Sequence, residues 1–318
     1  MDGLDAPIVK TAELHAAGLT KHAILVRVRT GTLVRLRRGR YVLGSVWGQL
    51  DARDRHLVRA RAVCSEVSEP VLCGRSAAAV WRIPLIGTLS NDVTLVAPYR
   101  GGGKSEPGVR RTSVAASAVP VVRVGDLSVT SRERTVVDIA ATEGFLAGVV
   151  AADWALRAGV TRSELERALA ARRSRYGAAT ARAVIAFADG AAETPGESAG
   201  RASMFLLGFE VPQLQASVVD EEGEMRMDYH WPSVNVGGEF DGLQKYTRAD
   251  MNGGSPSDVV VREKRREDRL RRRIRIVVRL IWSDVFDGER LTRLLVDAGV
   301  PRRRPGPPDP LRTGSSRP

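Results

Sequence analysis

Glu197, Asp228, Glu239 and Asp241, followed by Lys245, are the residues of this chain whose types and spacing suit phosphoryl chemistry. Acids at the ends of neighbouring core strands are expensive to bury as bare charges. They become reasonable when a divalent cation sits between them, and magnesium prefers one or two carboxylates plus water and substrate phosphate. Such an ion acidifies an attacking water and neutralises charge developing on a phosphodiester. Asp228 lies near the end of one expected strand, MRMDYHWP, and Glu239 lies in the next, VNVGGEFDGLQKY. The pair is therefore expected to share one Mg2+ ion as its ligands. Glu197, near the start of a preceding helix, then supplies a third carboxylate or holds a water, and Lys245 steadies the nucleophile or the transition state. The opposing reading makes Asp228 a strand end that caps a turn, and Glu239 with Asp241 an exposed acidic patch beside a basic helix. His230 reads as a half-buried strand histidine rather than a base.

A second constellation lies near the N-terminus. Arg27, Arg29, Arg35, Arg37, Arg38 and Arg40 fall in one short stretch with no acid among them. A solvated face normally mixes signs. An unmixed basic face suits the phosphate backbone of DNA, with a helix available for the major groove. The alternative is that these arginines pack against the chain's own acids. Across all 318 residues Lys and Arg total 49 against 37 Asp and Glu, a net charge of +12, which also favours a polyanionic partner.

The elements that must position these groups follow from periodicity. Residues 11–19 read as a short helix capped by Thr11, with Leu14 and Leu19 facing inward. Thr20 caps a second helix over 21–30, which places Ile24, Leu25 and Val28 on one apolar face, and Gly31 stops it. Residues 33–36 and 40–43 read as two strands joined around Arg38 and Gly39. Helix, turn, helix and basic hairpin together make a winged helix-turn-helix. Further helices are expected over 51–67, from 73 to just before Pro84, and through 130–175, with strands at 92–98 and 119–129. The loop YRGGGKSEPG fails as a phosphate loop, because Pro98 stands where that motif needs glycine. Beyond a linker at 189–195 the order becomes helix, a three-strand meander, a long basic helix and a last strand.

The expected fold class is α/β of the α+β kind, in several domains. The boundaries are a winged helix at 1–50, a mixed α/β region at 51–188, an α/β domain at 196–300 and a disordered Pro/Arg tail at 301–318. The most apolar stretch, 144–160, is interrupted by Asp153 and Arg157 and is too short to span a bilayer, so no membrane partner is expected. Cys64 and Cys73 make no disulfide framework and no zinc motif, and the first residues do not read as a signal peptide. A cytoplasmic location is the expectation.

Two resemblances sharpen these expectations. Glu197, Gln213, Asp228, the run Glu239-Phe240-Asp241-Gly242 with Lys245-Tyr246, then Glu263-Lys264, Arg266, Leu270, Arg279 and Trp282, resemble the PD-(D/E)XK nuclease superfamily. Within it, the segment looks like the group related to the very-short-patch-repair endonucleases. The resemblance covers the last third of the chain. It implies a restriction-endonuclease-like domain, Asp228 and Glu239 as metal ligands, Glu197 as the helix-borne acid, and Arg266 at a position that meets DNA. The superfamily sets a lysine two residues after the second acid; Asp241 stands there, and Lys245 is the candidate substitute. Residues 10–160 resemble the AbiEi-type antitoxins of type IV toxin–antitoxin systems, on R-R-G-R-Y-V, Ser76-Ala77-Ala78-Ala79 and V-T-S-R-E-R-T-V-V-D-I-A. That implies a DNA-binding autorepressor or antitoxin with a cognate toxin as partner. The alternative is an active magnesium-dependent DNA endonuclease.

Overall fold

The computed structural model describes residues 3–97, 106–113, 119–242, 266 and 268–303. The chain is a mixed α/β, multidomain protein, with three separate sheets among the described residues. It divides into two compact units, the first made of Met1–Ile139 and Arg162–Ala178, the second of Ala140–Thr161 and Ala179–Pro318.

Unit 1 opens with β1 (Val9–Lys10), α1 (Thr11–Ala16), α2 (Lys21–Arg29), β2 (Leu33–Arg37) and β3 (Arg40–Leu43). β3 lies between β1 and β2, and both pairings are antiparallel. This is the helix, turn, helix and wing that the sequence predicts. Thr20 caps α2 by accepting the Ala23 N–H at 3.2 Å, and Gly31 at φ +76° ends it. Leu14, Ile24, Leu33 and Tyr41 form the small core, with Leu19 and Val28 packed on it. Two details differ. The N-cap of α1 is Lys10 rather than Thr11, and the Glu13 carboxylate accepts the Lys10 N–H at 2.9 Å. Leu25 is 55% exposed instead of joining the apolar face, because Ile24 and Val28 already fill the contact with the sheet.

After α3 (Gly44–Gln49) comes α4 (Ala52–Cys64), capped by Asp51. β4 (Val71–Leu72), α5 (Gly74–Trp81), β5 (Val93–Ala97), β6 (Val109–Ser113), β7 (Val121–Val124) and β8 (Leu127–Thr130) complete a sheet of order β6-β5-β4-β8-β7. Leu57 and Ala60 of α4 and Ala77 and Val80 of α5 pack with Leu72, Leu95 and Val129 of the sheet. The stretch expected as one strand over 119–129 is a hairpin, because Gly125 at φ +60° reverses it. β4 and β6 are strands that the sequence reading does not contain. α6 (Arg132–Glu143) straddles the division between units, and α8 (Arg162–Ala170) belongs to unit 1.

Unit 2 contains α7 (Phe145–Arg157), α9 (Ala178–Phe187), α10 (Pro195–Leu206), and β9 (Gln213–Asp220), β10 (Gly223–Trp231) and β11 (Val236–Phe240). Residues 268–273 are helical, and β12 (Ile276–Leu280), α11 (Trp282–Phe286) and α12 (Gly288–Asp297) follow. The sheet runs β12-β11-β10-β9, with an antiparallel meander and β12 parallel to β11. The predicted helix, meander and last strand are the observed ones; of the long basic helix expected between them, residues 266 and 268–273 are helical, and 255–265 and 267 lie outside the described residues. Gly196 and Gly200 let α10 lie close on this sheet. A Cβ at Gly196 would collide with the Phe240 ring, and one at Gly200 would sit 2.6 Å from the Tyr229 hydroxyl.

The expected boundary at 188 does not separate the units. α7, assigned by sequence to a middle domain, packs on α10 within unit 2. Phe145, Phe187 and Phe205 meet with ring centroids 4.5–5.3 Å apart. Asp153 and Arg201 form a buried ion pair at 3.0 Å. The expected tail also begins too early. The Glu210 N–H donates to the Pro301 carbonyl and the Arg303 N–H to the Gly208 carbonyl, so 301–303 are held; residues 304–318 lie outside the described set. Among the described residues no helix is long and apolar enough to cross a membrane.

Candidate functional site

The winged helix of unit 1 sorts its six arginines into two groups. Arg27 and Arg29 are exposed on α2, and Arg35 and Arg38 are exposed on the wing. None of these four has an ion pair among the described residues. Arg37 and Arg40 are half-buried and committed elsewhere. Arg37 Nε lies 2.8 Å from Glu66 Oε2, Arg37 Nη2 lies 3.4 Å from Glu106 Oε2, and Arg40 Nε lies 3.5 Å from Glu66 Oε1. The wing thus presents its basic groups to solvent at Arg35 and Arg38 and uses the other two to brace itself on the unit. The expectation that all six face a polyanion is corrected for Arg37 and Arg40. Charge counting along a stretch cannot see an acid that sequence places far away.

In unit 2, α10 positions Glu197 in its first turn. Thr194 caps the helix, accepting the Glu197 N–H at 3.2 Å. Both oxygens of the buried Glu197 carboxylate are taken. Oε1 accepts the Thr194 hydroxyl at 2.8 Å, and Oε2 accepts the Glu193 N–H at 2.9 Å and Gln215 Nε2 at 2.7 Å. Burial pushes this carboxyl above its ordinary range and the nearby Asp228 charge adds to that; the three donors pull it back. Gln215, rather than the Gln213 of the nuclease-like pattern, makes the contact. Gln215 adopts φ +51°, and nothing in the run Q-L-Q distinguishes one glutamine from the other. The Tyr229 hydroxyl donates to the Glu197 carbonyl at 2.9 Å, and burial with the Glu197 and Asp228 charges lifts that phenol well above its usual range.

Asp228 and Glu239 do lie on adjacent antiparallel strands. The paired register of β10 and β11 runs from Trp231↔Val236 to Tyr229↔Gly238. Just beyond it the half-buried Asp228 carboxylate accepts the Phe240 N–H at 2.7 Å. Glu239 is only 3% exposed. Its Oε1 accepts Arg266 Nη2 at 2.6 Å, and its Oε2 is buried with no hydrogen-bond partner among the described residues. Arg266 also donates to the Arg226 carbonyl at 2.8 Å. Asp241, half-buried at the end of β11, pairs with Arg279 at 3.4 Å. Lys245 lies outside the described residues, as do Glu263 and Lys264. His230 is half-buried, as expected.

Of the three acids expected to converge on one cation, Glu197 and Asp228 lie near enough for the Asp228 charge to raise the Glu197 carboxyl, while Glu239 is engaged by Arg266. Among the described residues, no three His, Cys, Asp or Glu side chains are grouped so as to hold a metal. Protein donors already satisfy Glu197, and a guanidinium stands on Glu239. A magnesium ion shared by Asp228 and Glu239, as the nuclease resemblance implies, would compete with Arg266 for the Glu239 carboxylate. Arg266, expected at DNA, is half-buried and pairs with Glu239.

No family model matches the chain. Two proteins of Mycobacterium tuberculosis are similar to it: the uncharacterized protein MT2308 of strain CDC 1551 / Oshkosh and the uncharacterized protein Rv2248 of strain H37Rv. Each is 28% identical over 236 residues, which is 71% of this chain and 80% of the relative. Among solved structures, the RV2827C protein from Mycobacterium tuberculosis is similar at 19% identity and a TM-score of 0.35, over 69% of this chain and 86% of that one.

Proposed function

We propose that this chain is a DNA-binding regulator of the antitoxin kind, in which unit 1 grips duplex DNA and unit 2 is a nuclease-like platform that does not cleave. The observation that carries the reading is the set of exposed arginines on α2 and the wing, Arg27, Arg29, Arg35 and Arg38, with no acid to answer them among the described residues. Such groups supply affinity through the phosphate backbone, and α2 is the helix that a winged fold lays in the major groove. The likeness to AbiEi-type antitoxins supports a cognate toxin as partner and a cytoplasmic setting. The test is duplex binding over a salt series. Each lost phosphate contact lowers the slope of log K against log salt by about 0.9. Arg35→Gln with Arg38→Gln is expected to flatten the slope accordingly, and Arg27→Gln with Arg29→Gln likewise, while Arg37→Gln leaves it unchanged. Equal slopes for all four proteins would end the reading.

A second reading makes unit 2 a magnesium-dependent endonuclease. The Glu239 Oε2, buried with no partner among the described residues and one strand from the Asp228 carboxylate, favours it. The closed shell of Glu197 and the Arg266–Glu239 pair speak for the first reading.

A further inference from the structure

Helix α4 carries four arginines, Arg53, Arg55, Arg59 and Arg61. Two are answered by acids: Arg53 Nη2 lies 2.6 Å from Asp54 Oδ1, and Arg61 Nε lies 3.6 Å from Asp126 Oδ2. Arg55 and Arg59, one helical turn apart and both half-buried, have no ion pair among the described residues. Instead they share an aromatic ring. The guanidinium carbons of Arg55 and Arg59 lie 5.5 Å and 4.7 Å from the ring centroid of Trp47, in α3. Arg55 Nε donates to the Trp47 carbonyl at 3.1 Å.

The arrangement is costly as it stands. Two like charges held at one ring and partly withdrawn from water repel each other. Burial and the Arg55 charge both pull Arg59 below its ordinary range, and burial first, then the Arg59 and Arg75 charges, pull the His56 imidazole down against its bond to the Ser90 carbonyl. An anion lodged with the two guanidinium groups reverses the sign of that interaction. The chemistry selects the anion. Stacking on an indole occupies the face of a guanidinium and leaves its in-plane N–H fork for a planar or tetrahedral oxyanion, which is the usual arginine mode for phosphate.

We propose that Trp47, Arg55 and Arg59 form a phosphate-binding site on unit 1, separate from the arginines of α2 and the wing. It extends the duplex-binding reading, but its test does not depend on it. The phosphate group comes either from a nucleic-acid backbone or from free phosphate and its monoesters.

The experiment uses the full chain in two arms. The first measures binding of a labelled duplex over a salt series for the wild type, Arg59→Gln and Arg55→Gln/Arg59→Gln. The second titrates inorganic phosphate at constant ionic strength and follows tryptophan emission, with Trp47→Phe as the control. Arg59→Gln keeps the Arg55–Trp47 hydrogen bond, so it carries the test if circular dichroism shows the double variant unfolded. If the site meets a DNA backbone, the salt slope falls by about 0.9 for Arg59→Gln and about twice that for the double variant. If it takes free phosphate, the slopes agree, but phosphate gives a saturable emission change that both the arginine variants and Trp47→Phe abolish. Unchanged slopes together with no such phosphate response would overturn the proposal. Wing variants that flatten the slope while the α4 variants do neither would sink this site and leave the proposed function standing. A wild type that ignores duplex yet binds phosphate at Trp47 would do the reverse.

Discussion

Removing Asp153 from unit 2 should be far more damaging than removing it together with its partner. Asp153 is fully buried in α7, and Arg201 in α10 is 3% exposed. Arg201 Nη2 donates to both carboxylate oxygens, at 3.1 and 3.0 Å, and the Asp189 N–H donates to Oδ1 at 2.7 Å. In Asp153→Ala the guanidinium stays buried with the Phe187 carbonyl at 3.1 Å and the Phe187 ring at 4.1 Å, while its Nε already lacks a partner. Breaking one side of a buried pair costs about 3–5 kcal/mol, and stranding the Asp189 amide adds about 1 kcal/mol. That sum is a large part of the roughly 5–15 kcal/mol that holds a domain together. The double variant Asp153→Leu/Arg201→Met should lose no more than about 2 kcal/mol, because the desolvation of both charges disappears with their attraction. The carboxyl itself points the same way: burial lifts Asp153 above its ordinary range, outweighing the pull of Arg201 and the Asp189 amide. Urea unfolding followed by tryptophan emission measures the three proteins, with Trp154, Trp231 and Trp282 all in unit 2. A loss below about 1 kcal/mol for Asp153→Ala, or an equal loss for single and double variants, would refute the reasoning.

Two further outcomes are expected. The Asp220 carboxylate accepts Arg269 Nε at 2.9 Å as well as Arg269 Nη2, and these bonds hold its carboxyl down to about 2 from an ordinary 3.8. A folded value below the unfolded one adds stability that is present above the unfolded value and is lost as pH falls toward the folded one. The urea midpoint of the wild type should therefore drop more steeply than that of Asp220→Asn between about pH 4 and pH 2, and parallel curves would contradict the pairing. Magnesium at millimolar concentration should shift the melting temperatures of the wild type and Asp228→Ala alike; a rise confined to the wild type would establish a metal bound to the folded form and favour the endonuclease reading.

The elements of the winged helix were legible because each rests on a local signal: Thr20 as a cap, Gly31 as a stop, alternation through Leu33 and Tyr41. The order of unit 2 was legible for the same reason. What escaped the sequence is non-local. Glu66 pairs with Arg37 and Arg40 from the far side of α4, and no periodicity marks such a partner. Asp153 reads along the chain as an interruption of an apolar run, and only the approach of α10 turns it into half of a buried pair. β4 has two residues, too few for any alternation to show. For the candidate site, the strands carrying Asp228 and Glu239 were placed correctly as neighbours. The side-chain partners were not, because Arg266 and Gln215 reach these acids by rotamer and backbone twist rather than by spacing.

The interleaving of the two units bears on how the chain comes off the ribosome. α7 is an apolar helix whose aromatic partners, Phe187 and Phe205, are made some time after it. Between them the ribosome delivers 162–178, which belongs to unit 1. Unit 1 therefore cannot close until a piece of unit 2 has already emerged, and that piece must wait in solution at a synthesis rate of roughly 5–20 residues per second. A fragment cut at 188 would carry α7 with α9 but without α10, and the complementary fragment would carry Arg201 with no Asp153. Each unit is built from two stretches of chain, so no single cut releases either one whole.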